Sequence, residues 1–313
     1  MPLDPEVKDL LERLQAADPR PRSALTVAET REKYLQARVL AGAPRALHRV
    51  EDRAIAGRGV AVPVRIYAPT KDPMLPALVY LHGGRFISGD LETHDAVCRD
   101  LAFRSGCAVV AVDYRLAPEH RFPAALDDAS DVAAWISADG RELGIDAARV
   151  GVGGDSVGAN LAAAVALRFR DRQIAALRCQ LLVYPMLDAT RGLESHRAFA
   201  TGYGPGSDDM MRGWREYLGE ETDPRTPLAS PYFAPDLRGL PPALVQTAEY
   251  DTLRDEGEAY ARRLEQAGVP VVGTRYEGAI HGFFQMAGVL ETGRRALDEA
   301  ARFLRRTLGR PAP

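Results

Sequence analysis

One serine in this chain stands where a nucleophile would. Ser156 lies within Val152-Gly153-Gly154-Asp155-Ser156-Val157-Gly158-Ala159-Asn160. A strand-like run, Arg149 to Val152, enters the segment, and an alanine-rich helical run, Leu161 to Phe169, leaves it. Strand, tight turn and helix in that order place the hydroxyl at the apex of a turn, next to the positive end of a helix. A serine there takes strained backbone angles. Gly154 and Gly158 lack the Cβ atoms that would collide with strand and helix. Gly-x-Ser-x-Gly alone is a weak signal, and the flanking elements give it weight.

A serine hydroxyl is hardly ionised at neutral pH and needs a base. Of the six histidines, His281 alone combines a strand-end loop, nearby glycines (Gly278, Gly282) and shielding aromatics (Phe283, Phe284). His82 precedes a glycine pair, and His94 follows it as a candidate for the pocket wall. His120 reads as structural, and His48 and His196 read as surface or cap residues. The orienting acid is Asp251 or Asp255. Asp251 sits at the exit of the strand Ala243–Ala248, within reach of a histidine on the next strand's loop, and is preferred. Leu78–Leu81, a buried strand, runs into His82-Gly83-Gly84-Arg85-Phe86. Paired glycines after a strand can aim N–H groups at the negative charge that develops in acyl transfer. Asp155 reads as fixing the elbow. Asp113, Tyr114, Arg115 and Glu119 read as a structural ion-pair network.

The chain order Ser156, Asp251, His281 is that of α/β-hydrolases. His82-Gly83-Gly84, Asp113–Glu119, Gly154–Gly158, Tyr250–Gly257 and His281-Gly282-Phe283 together resemble the hormone-sensitive-lipase-like carboxylesterases, bacterial family IV. The blocks lie in family order from near residue 40 to the end, and the preceding segment resembles that family's cap helices. The resemblance implies an α/β-hydrolase fold with a helical cap. It implies hydrolysis of carboxylic esters through an acyl-enzyme, with Ser156, His281 and Asp251 as the triad. Backbone N–H groups of Gly83, Gly84 and Val157 would form the oxyanion hole, and His82 would brace that loop. It further implies short to medium acyl chains, no cofactor or metal, a small-molecule ester as partner, and homodimers that pair edge strands. Two positions depart from the family: Arg85 replaces a usual glycine, and so does Ala159. The Arg85 side chain either faces solvent or turns inward and favours an anionic or strongly polar acyl group. Arg85, Phe86, Asp155, Tyr184 and Phe283 are the expected pocket residues. Amide or lactone hydrolysis by the same triad remains an alternative, as does a non-catalytic small-molecule receptor on this scaffold.

The bulk numbers agree with an enzyme of this kind. The chain has 313 residues, is 46% hydrophobic and carries a net charge of −3, enough for one large α/β core. No basic patch suggests nucleic acid. No apolar run is long enough to span a membrane, and the N-terminus lacks a signal-peptide pattern. Three cysteines without metal spacing read as free thiols in a reducing cytoplasm. Asp4-Pro5 and Thr26-Val27-Ala28-Glu29 open two helices, the second reaching about Ala41, before any strand. Residues 49–69 read as two strands. Further strand-like runs fall at 77–81, 108–112, 149–153, 180–184, 243–248 and 271–276, with helices between most of them. That alternation predicts a mostly parallel sheet covered on both faces. Residues 186–240 break the rhythm with a glycine-rich loop and a short helix from Ser207. The expected organisation is cap helices over 1–45, core over 46–185, a cap insertion and return over 186–240, and core again over 241–313.

Overall fold

The computed structural model describes residues 2–18, 20 and 22–309. Two helices come first, α1 (Pro5–Ala17) and α2 (Val27–Gln36). Asp4 caps α1 by accepting the Glu6 N–H at 2.9 Å. Thr26 and Glu29 close a capping box on α2. The expected helix to Ala41 stops at Gln36 and continues as a tighter turn over Ala37–Ala41.

The rest of the chain runs β1 (Arg49–Ala56), β2 (Ala61–Ala68), β3 (Leu75–Leu81), α3 (Asp95–Ser105), β4 (Ala108–Val112), α4 (Ala124–Asp139), β5 (Ile145–Asp155) and α5 (Val157–Arg172). It then runs β6 (Gln180–Val183), α6 (Ser195–Ala198), α7 (Ser207–Leu218), β7 (Ala243–Tyr250), α8 (Arg254–Gln266), β8 (Val271–Ile280) and α9 (Glu291–Leu308). The eight strands form one sheet in the order β1-β2-β4-β3-β5-β6-β7-β8. β2 is antiparallel to both neighbours, and all pairings from β4 onward are parallel. The parallel strands are apolar on both faces because both are covered: every residue of β4 and β6 is buried. Helices α4, α5 and α8 share one core with the sheet. Helices α1, α3 and α9 share the other.

This topology sends β5, β7 and β8 out at one end of the sheet, where ligands of open α/β sheets bind. β8 runs four residues beyond its expected end. It passes through Gly278, which adopts φ 71°, and a shift in the β7–β8 register accommodates it. Gly278 donates its N–H to Glu249 at 2.7 Å and accepts the Asp4 N–H at 3.2 Å, so α1 docks beside the loop of His281. The region 186–240 returns over the same end. On α7, Tyr217 stacks on Phe86 with ring centroids 3.6 Å apart. Arg212 of α7 donates to the Leu25 carbonyl, and Arg31 of α2 donates to the Ile87 carbonyl at 2.8 Å. The two segments outside the sheet therefore meet over the loop that follows β3. No helix among the described residues is long and apolar enough to cross a membrane.

Candidate active site

The elbow is built on one carbonyl. A Cβ on Gly154 would sit 2.2 Å from the Leu81 oxygen of β3, and one on Gly158 would sit 1.8 Å from it. Both positions exclude a side chain because β3 ends there. Ser156 itself holds φ 56°, ψ −118°, a conformation that costs a non-glycine residue about 1–3 kcal/mol. The turn is held from outside. The Ser156 N–H donates to the Val183 carbonyl at 2.9 Å, and its carbonyl accepts the Met186 N–H at 3.2 Å. Asn160, one turn into α5, donates to the carbonyls of Met186 and Ala229 at 2.8 and 2.9 Å, pinning the return of the 186–240 segment to the elbow.

The three strand ends bring Ser156, His281 and Asp251 into one line. His281 Nε2 is 3.1 Å from Ser156 Oγ, and His281 Nδ1 is 2.8 Å from Asp251 Oδ2. Asp251 Oδ1 also accepts the Leu253 N–H at 2.9 Å. The carboxylate is thereby fixed edge-on to the ring. All three residues are buried, His281 the least so. Asp255 lies away from His281: it accepts the Ser195 N–H at 2.8 Å and pairs with Arg254. The Tyr184 ring packs on the imidazole at 4.6 Å and on Phe283 at 5.4 Å.

The glycine loop departs from expectation. Gly83 donates its N–H to Asp155 Oδ1 at 3.0 Å, so that group points beneath the loop and away from an incoming oxyanion. Gly84 turns the next peptide over with φ 129°, and Arg85 and Phe86 follow at φ 58° and 62°. The N–H groups of Gly84 and Arg85 have no acceptor among the described residues. Val157 opens α5, where first-turn N–H groups lack helical partners. The free donors around Ser156 are thus Gly84, Arg85 and Val157. Gly83, expected among the donors, is committed to Asp155, and the Arg85 N–H is free in its place.

Asp155 is a buried hub and not a pocket residue. Besides Gly83 it accepts the Tyr80 hydroxyl at 2.8 Å and faces His94 Nε2 at 3.2 Å. Gln285 donates to its other oxygen and also meets the Tyr34 hydroxyl of α2 at 2.8 Å. Burial works against the charge, yet His94, Tyr80 and Gln285 hold the carboxyl below its ordinary value. His94, expected as a candidate for the pocket wall, is locked in this network and 1% exposed. Gln285, Tyr34 and Tyr80 carry no motif, and no local pattern points to their place.

The other expected pocket residues are packing residues. Phe86 is wedged under Tyr217 and Trp214 of α7. Tyr184 and Phe283 back the imidazole. Each exposes 1% or less of its surface, because α7 and the residues after His281 close over them. Arg85 is the remaining member of that set. His196, expected at the surface or in the cap, is buried 3.7 Å from Glu256. In the Asp113–Glu119 segment, Arg115 grips Asp128 of α4, and Glu119 pairs with Arg31 of α2.

His82 sits under the loop. Its Nδ1 donates to the Gly83 carbonyl at 2.8 Å, its ring stacks on Tyr114 at 4.2 Å, and the Tyr114 hydroxyl donates to the His82 carbonyl at 2.7 Å. Burial, reinforced by His94, pulls its pKa down to about 4 from 6.5. Below pH 6.5 the unfolded chain binds a proton that folded His82 refuses until about pH 4. Its stability contribution is therefore complete above 6.5 and is lost as pH falls to 4, by about 3 kcal/mol. Urea unfolding from pH 7.5 to 4 is expected to show this slope, and His82→Gln is expected to flatten it. An equal slope in both proteins contradicts the assignment.

No cluster of three or more His, Cys, Asp or Glu side chains suited to a metal occurs among the described residues. The three cysteines are free and buried.

Comparison with known proteins places this geometry. A family model described as alpha/beta hydrolase fold matches residues 78–285. An arylesterase of Saccharolobus solfataricus is 37% identical over 90% of this chain and 92% of its own length. An ethyl acetate hydrolase of Pseudomonas putida is 38% identical over 93% of this chain and 95% of its own. The solved structure of a hyperthermophilic esterase from Pyrobaculum calidifontis superimposes with a TM-score of 0.92 at 44% identity, covering 98% of this chain and 99% of that one. The chain belongs to the α/β-hydrolase fold family, in the hormone-sensitive-lipase-like branch that its motifs resemble.

Proposed function

We propose that this carboxylic ester hydrolase works through an acyl-enzyme on Ser156. Esterases across most of its length among its relatives support the activity. The unbroken hydrogen-bonded line Asp251–His281–Ser156 carries the mechanism. His281 takes the Ser156 proton as Oγ attacks the ester carbonyl. Asp251 holds the Nδ1–H tautomer and stabilises the imidazolium. Gly84, Arg85 and Val157 offer N–H groups to the oxyanion, each such donor being worth roughly 2.7–4 kcal/mol in a comparable site. His281 then protonates the leaving alcohol, and water repeats the cycle to release the acid. The ethyl acetate hydrolase among the relatives supports short acyl chains. Three free buried thiols favour a cytoplasmic location. The outer edge of β8, last in the sheet, is the strand a homodimer would pair.

Rapid mixing with 4-nitrophenyl acetate tests the reading. It predicts a burst of about one nitrophenolate per chain, followed by slower steady release. Steady turnover without a burst under conditions where deacylation is slow, or no turnover at all, counts against it. A non-catalytic receptor on this scaffold gives neither phase.

A further inference from the structure

Arg85 bears two costs at one position. Its backbone occupies the left-handed region at φ 58°, which L-residues with a Cβ disfavour. Its guanidinium is buried, with the side chain 11% exposed, and a buried charge is expensive unless it is paired and hydrogen-bonded. This one is neither in full. The side chain donates no hydrogen bond to any described residue. Its ion-pair partner, Asp209 of α7, stands 3.5 Å away. Asp209 uses its other oxygen to accept the Gly206 N–H at 3.0 Å, and the oxygen nearer Arg85 is left without a hydrogen bond.

The surroundings do not neutralise the arginine. Burial draws its pKa down and Asp209 holds it up, while Arg22 and Arg212 both press against its charge. A guanidinium has five N–H donors in a planar fork suited to a carboxylate. The fork belongs to the same residue whose backbone N–H has no acceptor among the described residues.

We propose that Arg85 is a specificity residue that binds a carboxylate carried by the ester, on its acyl or its alcohol side. The proposal rests on the hydrolase reading above. A substrate carboxylate would satisfy donors that the protein leaves open, in a site where the cap excludes water and strengthens the contact. A neutral ester of the same length would gain nothing from them.

The test is the ratio of kcat/KM for a carboxylate-bearing ester to that for a neutral one of equal length. 4-Nitrophenyl hemisuccinate against 4-nitrophenyl valerate reports the acyl side. The mono-4-nitroanilide of O-acetylmalic acid, retaining one free carboxylate, against the 4-nitroanilide of O-acetyl-2-hydroxybutyric acid reports the alcohol side, with acetate release followed by titration at constant pH. Arg85→Met keeps length and removes charge, and using a ratio cancels any disturbance of the oxyanion loop. The ratio is expected to fall about tenfold to a hundredfold for at least one pair, the range of a charge-assisted hydrogen bond. Asp209→Asn frees the guanidinium from its competitor and is expected to raise the same ratio. Ratios unchanged in Arg85→Met for both pairs overturn the proposal while leaving the hydrolase reading intact. So does an equal loss on charged and neutral esters in both variants, which marks Arg85 and Asp209 as a structural pair holding α7. Failure of the wild type to hydrolyse any of the esters overturns the hydrolase reading itself.

Discussion

Ser156→Ala is expected to lower kcat/KM on 4-nitrophenyl acetate by a factor on the order of 10⁴ or more, with the fold intact. The substitution removes Oγ, the atom 3.1 Å from His281 Nε2, and leaves the free N–H groups where they are. Residual turnover then reflects binding and oxyanion stabilisation alone. Alanine endures φ 56° about as poorly as serine does, so the strain in the elbow is retained and thermal stability changes little. Steady-state kinetics with far-UV circular dichroism checks both halves. A rate within tenfold of the wild type contradicts the role of Ser156.

Asp251→Asn is expected to cost roughly 10⁴ in kcat, and the hydrogen bonds say why. Asp251 Oδ1 accepts the Leu253 N–H at 2.9 Å, while Oδ2 faces His281 Nδ1 at 2.8 Å. An asparagine keeps its carbonyl oxygen on Leu253 and turns its NH₂ toward the imidazole. Nδ1 must then accept, which moves the ring proton to Nε2 and points it at Ser156 Oγ. The base is occupied before the reaction begins. Asp255→Asn is expected to cost less than about tenfold, since that carboxylate serves Ser195 and Arg254 instead. Paired kinetics on the two variants decides the matter, and a reversed ranking removes Asp251 from the triad.

Much of this site was legible in the residues because its parts are steric. Gly154 and Gly158 mark the elbow because a side chain at either would strike the Leu81 carbonyl. Asp251 and His281 stand out because each follows an apolar strand, and parallel strands must leave the sheet at the same end. Other features depended on partners far along the chain. Gly83 and Gly84 are equivalent in sequence, and the direction of the Gly83 N–H is settled by Asp155, a residue that lies 72 positions later. The N–H groups left without an acceptor therefore fall one residue later, on Gly84 and Arg85. Phe86, Tyr184 and Phe283 looked like pocket walls because they flank the motifs. Their burial follows from α7 and the His281 loop, whose packing angle no local pattern encodes. Gly278 reads as a loop residue beyond the strand 271–276, but a β7–β8 register shift carries β8 through it.

Mass mapping of the site trapped by a phosphonate ester tests the central claim most directly. A 4-nitrophenyl alkylphosphonate places phosphorus where the ester carbonyl would sit and leaves a stable tetrahedral adduct on the attacking oxygen. Stoichiometric labelling of the peptide that carries Ser156, in step with complete loss of esterase activity, is the predicted result. Labelling of Ser88 or Ser230 in its place, or activity that survives full modification of Ser156, would contradict it.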